Sequence, residues 1–362
     1  MFSDDPFDGS KGSSENKIPP RLTARTRIMN KTIILAVPYM YELDKCIEKN
    51  LRFLGFDVVN LCYDDRDSFY PNMASRVKNL YYKYVAKDGD YKKVLKYSRY
   101  RDDIARKLGS LNGKKADYAL CIRANIYPKE IIAAIRAHSE ICVNYQWDGI
   151  GRFPDILEYL DYFDQCWVFD PQDIEQYPEY GFKATTNFYF DLPVPELPSN
   201  DGLYFLGGYE LRREEQTKHF ISEAERLGLP LDFHIYCKDD RAEKAFGTKG
   251  ITYLDRSSIL SFENNLSKVQ SCGAVVDFAQ FDHYGLSFRI FDALRFDKKL
   301  ITTNQSIRDT DLYHPDNVFL WDGGSLDELP DFLARPYQPV SPDIKEKYSF
   351  TQWLNRMLGI GN

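Results

Sequence analysis

The chain has 362 residues, 43% of them hydrophobic and 28% charged, with a formal net charge of −7. That length and balance suit a globular protein of two ordinary domains, and the acidic excess gives no reason to expect nucleic acid. No apolar run approaches the ~18 residues of a membrane-spanning helix, and no cleavable signal peptide is read at the start.

Residues 1–28 are rich in Ser, Gly, Asp and Pro without periodicity, and a disordered leader is expected there. Strands then alternate with helices. KTIILAV (31–37) is a fully apolar strand of the kind buried inside a parallel sheet, and residues 38–55 follow as loop and helix. Further strands are expected at 56–63, 116–124, 140–149 and 165–170, with a helix at 128–138. The Pro-rich LPVPELPSND (192–201) reads as a linker. A second series follows: strand 203–206, helix 212–227, strand 231–237, a short 250–255, helix 257–270 and a final helix 343–358. The seven cysteines (46, 62, 121, 142, 166, 237 and 272) are scattered, with no CxxC, as expected of reduced thiols in a cytoplasmic protein.

The most informative stretch spans 273–304. GAVVDF is a strand, AQFDHY a polar loop, 286–296 a helix and 300–303 a buried strand. Such a βαβ unit binds nucleotides where loop meets helix N-terminus. Leu286, Ile290 and Leu294 recur as the packed stripe, while Gly285, Arg289, Asp292 and Phe296 share another face. An Arg and an Asp one turn apart beside a glycine can hold a phosphate and a ribose diol together. The alternative use is an i,i+3 surface ion pair.

This segment resembles the nucleotide-sugar site of GT-B glycosyltransferases. Asp292-Ala293-Leu294 stands where that family usually has Glu-Ala-Met, and KKLITTN (298–304) where it has a short strand ending in small polar residues. The pattern is similar to transferases of bacterial lipopolysaccharide or capsule biosynthesis. The resemblance implies an α/β protein of two Rossmann-like doubly wound domains facing across a cleft. Residues 29–195 would form the acceptor-side domain, 196–342 the nucleotide-sugar domain and 343–362 a closing helix. It also implies a nucleotide-sugar donor, a glycan or lipid-linked glycan acceptor, and no cofactor or metal. Asp292 would bind the ribose hydroxyls. Retaining members often carry a Glu eight residues before that acid; Tyr284 stands here, so an inverting reaction is expected. The alternatives are a nucleotide-sugar 2-epimerase and a non-catalytic nucleotide- or sugar-binding protein of the same fold.

Other candidates sit at expected strand ends. Gly207 and Gly208 let backbone amides approach a diphosphate, and Arg212 or Arg213 can neutralise it. His283, Tyr284 and Ser287 flank Gly285 and join the donor set. Trp147-Asp148 closes an apolar strand, with Asp148 the candidate general base and Trp147 an acceptor contact; a turn or N-cap aspartate is the competing use. Asp44 is a rival base, with Glu42 and Tyr39 as acceptor contacts in the same loop as Tyr41. Asp309-Thr310-Asp311 matches a DxD motif by chance, and no metal is assigned to it.

One local excess stands out. Residues 76–107 carry eleven Lys or Arg against four Asp, interleaved with tyrosines. Basic and aromatic residues together suit an anionic membrane surface, so peripheral docking at the inner membrane is expected; a solvated helical hairpin is the other use.

Overall fold

The computed structural model describes residues 31–40, 42–64, 70–86, 89–279 and 284–360. The expected leader lies outside them, as do Tyr41 and His283.

In the first half, β1 (Thr32–Ala36), α1 (Leu43–Phe53) and β2 (Asp57–Asn60) lead to a helical excursion. It comprises α2 (Met73–Tyr81), continued by a π-helical turn (Tyr82–Ala86), α3 (Asp90–Ser98) and α4 (Arg101–Gly109). Then come β3 (Ala116–Ile122), α5 (Lys129–Ala137), β4 (Ser139–Gln146), β5 (Gln165–Val168), α6 (Pro171–Gln176) and the short β6 (Lys183–Ala184). These strands form one parallel sheet in the order β2-β1-β3-β4-β5-β6.

The second half supplies β7 (Leu203–Gly208), α7 (Glu214–Arg226), β8 (Leu231–Tyr236), α8 (Arg241–Phe246), β9 (Ile251–Leu254) and α9 (Phe262–Ser271). It continues with β10 (Ala274–Asp277), α10 (Phe288–Arg295), β11 (Lys299–Thr302), β12 (Val318–Leu320) and α11 (Leu329–Ala334). Two helices end the described chain, α12 (Pro342–Lys347) and α13 (Phe350–Leu358). The second parallel sheet runs β12-β11-β10-β7-β8-β9. The protein is therefore an α/β molecule of two Rossmann-like doubly wound halves, the GT-B arrangement. The order in which strands are added reverses once in each sheet, between β1 and β3 and between β7 and β10. Crevices at the carboxyl ends of such reversal points are where this topology leaves room for ligands.

The apolar continuity of β1 follows from its burial on both faces. Ile33, Leu35 and Val37 enter one core while Ile34 and Ala36 enter the other, so alternation is invisible in the sequence. Two helix boundaries differ from expectation. Asp255 Oδ1 accepts from the backbone amides of Ser257 and Ser258, closing a turn where a helix was expected. Helix α9 consequently starts at Phe262, with Ser261 capping Asn264 N.

The expected helix 343–358 is broken in two. Tyr189 threads between its halves: its amide donates to Tyr348 O at 3.0 Å and its carbonyl accepts from Phe350 N at 2.8 Å. Ser349 then caps the new helix through Gln352 N. This break sends α13 back to the first domain, where Trp353 is 1% exposed. Its ring lies 4.3 Å from that of Phe188 and 5.2 Å from that of Tyr145.

Trp353 is thus the bolt that fastens the end of the chain to the first sheet. Trp353→Ala is expected to cost about 3–5 kcal/mol of stability by denaturant unfolding, the scale for emptying a buried indole site. A loss below about 1 kcal/mol would mean that α13 contributes little to that core.

Candidate functional site

A cleft of about 500 Å³ lies between the two halves, lined by the carboxyl-end residues of both sheets. From the first domain come Arg123 after β3, Trp147 and Asp148 after β4, and Phe169 after β5. The second contributes Leu206–Glu210 around the end of β7, Asp277–Ala279 at the end of β10, and the segment from Gly285 into α10. Both sheets therefore bring their reversal points to one space.

Asp277 organises the second wall. It is fully buried, and its Oδ1 accepts from Ser287 Oγ at 2.7 Å and Arg289 Nε at 2.9 Å. Its Oδ2 accepts from Thr302 Oγ1 at 2.8 Å. Arg289 Nη1 also donates to Leu206 O at 3.1 Å, stapling α10 to the end of β7. Beside it, Arg213 Nη1 donates to Phe278 O at 2.8 Å. Burial, helped by the neighbouring Arg289 charge, lowers the Arg213 guanidinium to about 10, which still leaves it cationic at neutral pH. Two positive groups thus face the cleft beside Gly207 and Gly208. Gly207 has a tight environment of its own, since a Cβ there would sit 2.5 Å from the Phe205 ring.

Asp292 lines the same cleft but is 1% exposed, and neither carboxyl oxygen has a hydrogen-bond partner among the described residues. Burial pushes its carboxyl up to about 7, with Arg295 and Arg289 pulling the other way. A buried acid without donors is an expensive arrangement unless something else supplies them.

The first wall differs. Asp148 is ion-paired with Arg123 at 3.1 Å and with Arg152 at 3.4 Å. Arg123 holds a left-handed backbone at φ 51°, and its guanidinium stacks 3.7 Å from the Phe153 ring centroid. A non-glycine residue in that region costs energy and recurs at ligand sites. The walls meet closely at Gly285, where a Cβ would sit 2.3 Å from the Phe169 ring. Asn187 Nδ2 donates to Leu286 O at 2.9 Å, and Tyr284 N donates to Asp170 Oδ2 at 2.9 Å.

The expected site residues divide in two. Trp147, Asp148, Gly207, Gly208, Arg213, Gly285, Ser287, Arg289 and Asp292 all line the cleft. Arg212 is exposed and Tyr284 is 55% exposed, and neither lines it. Asp44 turns inward: it is buried, and burial raises its carboxyl. Glu42 pairs with Lys45 at the start of α1, and Tyr39 is half-buried; none of these three reaches the cleft lining. In the DxD triplet, Asp311 is taken up by Lys347 at 2.7 Å, and among the described residues no cluster of three His, Cys, Asp or Glu could hold a metal. Sequence reasoning missed Asp277 and Arg123. A signal existed for Asp277, the lone charge closing the apolar strand AVVD; Arg123 follows a strand that already carries Asp117, and no comparable pattern marks it.

No family model and no curated protein matches the chain. Solved structures similar to it include a lipopolysaccharide outer core galactosyltransferase, WaaB, at 12% identity over 90% of this chain and 97% of the other, TM-score 0.47. A Methanocaldococcus jannaschii UDP-GlcNAc 2-epimerase in complex with UDP-GlcNAc and UDP is 11% identical over 92% and 100%, TM-score 0.47. An alpha-glucosyltransferase in complex with UDP-glucose and DNA is 11% identical over 91% and 94%, TM-score 0.47. The chemistry of the cleft is read from this chain's own residues.

The raised Asp292 has a thermodynamic signature. Between the ordinary carboxylate range and pH 7 the folded protein holds a proton that the unfolded chain has released, so ligand-free stability falls as pH rises across that window. Asp292→Asn removes this ionisation. Its gain in melting temperature over the parent should be larger at pH 8 than at pH 5, by roughly 2–6 °C. A gain independent of pH would show that Asp292 does not ionise inside the fold.

Proposed function

We infer that the chain is a glycosyltransferase of the GT-B type, moving a sugar from a nucleoside-diphosphate donor to a glycan hydroxyl with inversion. The observation that carries this reading is Asp292, a buried carboxyl without a protein donor among the described residues, in a cleft that also presents the buried Arg213 and the half-buried Arg289. A ribose diol supplies two O–H donors to one carboxylate. A diphosphate supplies the anion that Arg213, Arg289, the amides near Gly207 and Gly208, and the start of α10 can hold.

The reaction needs three things from the protein. Arg213 and Arg289 would stabilise the charge that builds on the diphosphate as its oxygen leaves the anomeric carbon with the bonding electrons. Asp148 would take the acceptor hydroxyl proton as that oxygen forms the new bond on the opposite face. Arg123 and Arg152 hold the Asp148 carboxylate in position, and they also compete for its lone pairs until substrate arrives. The close seam at Gly285 and Phe169 would limit water that otherwise hydrolyses the donor. Surface-polysaccharide assembly, as the sequence resemblance implies, is the setting we favour, with no resident cofactor.

Two measurements test this. Asp292→Ala should weaken nucleoside-diphosphate binding by about 1–3 kcal/mol in calorimetry, the scale of lost hydrogen bonds to a charged group; unchanged affinity would remove the ribose assignment.

Asp148→Asn should lower turnover by about 10²–10⁴ while donor binding survives. NMR of the product's anomeric proton decides the stereochemistry, and retention relative to the donor would end the inverting mechanism. Absence of transfer and of donor hydrolysis with every nucleotide sugar that binds would leave a binding protein instead.

A further inference from the structure

Helix α2 and the π-helical turn that prolongs it bury no residue at all. Their apolar side chains nevertheless recur at helical spacing. Met73 (68% exposed), Val77 (64%), Leu80 (55%), Tyr81 (56%), Tyr84 (66%) and Val85 (67%) fall at i, i+4, i+7, i+8, i+11 and i+12, one helical face. The remaining exposed large apolar side chains among the described residues are spread from Phe53 to Tyr284. A continuous exposed stripe of this kind marks an interaction surface rather than ordinary scatter.

Charge narrows the partner. Residues 71–86 contain Arg76, Lys78 and Lys83 and not one Asp or Glu, in a chain of net charge −7. The other side of the segment is anchored: the Tyr82 ring stacks on Tyr91 of α3 at 4.4 Å, with the exposed Lys78 at the margin between the two faces, 5.4 Å from the Tyr91 ring. Helix α3 is fixed in turn, since Lys93 donates to Asp155 at 3.1 Å and to Tyr159 at 3.0 Å. Those two belong to the 3-10 segment Pro154–Tyr162, which directly follows Arg152 and Phe153 of the cleft wall. The stripe therefore has a fixed relation to the first-domain side of the cleft.

The geometry points to the outer face of α2 and its π-turn docking on an anionic lipid surface. Met, Val, Leu and Tyr side chains enter the boundary between headgroups and acyl chains while Arg76, Lys78 and Lys83 meet lipid phosphates. A nucleic-acid surface would present its cations without an apolar stripe between them. A self-associating helix would bring its like charges together. This surface is independent of the transfer reaction, so its test does not depend on Asp148 or Asp292.

The test sediments the full chain with vesicles of phosphatidylcholine alone and of phosphatidylcholine mixed equally with phosphatidylglycerol. Binding should favour the anionic vesicles, with three cations contributing on the order of 100-fold at low salt, and should fall as salt is added. Val77→Ser with Leu80→Ser and Val85→Ser should abolish it, and Arg76→Gln with Lys78→Gln and Lys83→Gln should remove the anionic preference. Hydrogen exchange should slow in 73–86 when anionic vesicles are added. Because every substituted side chain is at the surface, both variants should keep the parent melting temperature. Equal binding to both vesicle types, or none, would overturn the proposal. So would dimerisation of the free chain that the apolar substitutions abolish, or RNA binding through the same cations without vesicle binding.

Discussion

Asp277 places a carboxylate with no solvent exposure at the end of an apolar strand, directly under the cleft. Taking such a group out of water costs several kcal/mol unless partners surround it. Here they are Arg289, Ser287 and Thr302, drawn from two further elements of the second sheet unit. Meeting that requirement sets the geometry of the site. Ser287 is the N-cap position of α10, so its bond to Asp277 fixes where the helix begins. Arg289 is pulled across to the carbonyl of Leu206, so the end of β7 and the start of α10 sit side by side. Without this ion pair the Gly207-Gly208 turn and the α10 amides would have no reason to face the same point. Removing one partner would strand the other's charge in the interior, a far larger loss than an exposed pair would suffer.

A second constraint acts across the seam between domains. The N-terminal end of α10 lies against Phe169 only because residue 285 has no side chain, and Asn187 and Asp170 each reach over to backbone groups of that segment. The seam is apolar as well: Phe288 of α10 packs on Trp147 and Phe188, and Leu266 of α9 joins the core under the first sheet, so separating the halves would expose aromatic surface in addition to breaking these bonds.

Much of the fold was legible because buried parallel strands advertise themselves. KTIILAV and ADYALCIRA could hardly be anything else. What stayed hidden depended on long-range contacts. The split of the last helix needs Tyr189, 160 residues before Ser349, to supply backbone bonds that no local pattern announces. Strand β12 is three residues long and carries no period. At the site, Gly285, Arg289 and Asp292 could be grouped by helical spacing because they share one helix and its entry. Arg212 and Arg213 could not be separated, since adjacent residues of a 3-10 turn differ by about a third of a turn and the sequence does not say which one faces in: the structure buries the second and exposes the first. Asp44 failed as a cleft residue in the same way: it lies in the first turn of α1, where Leu43 lines the cleft and Asp44, one position on, is buried away from it.

Asp292 and Asp148 illustrate two ways of storing a carboxylate until it is needed. Asp292 is kept in the interior without donors, so burial lifts it to about 7 and the ligand-free protein carries that cost. Asp148 is kept at the cleft wall between two guanidiniums, one of which is itself held by a strained backbone and a phenyl face. A group that lacks partners gains most from a ligand that brings hydroxyls. A group that already has them must exchange partners, and it can do so only when substrate displaces an arginine. The first arrangement favours recognition and the second favours timing. That contrast supports the proposal that Asp292 binds the nucleotide and Asp148 moves the proton, rather than the reverse.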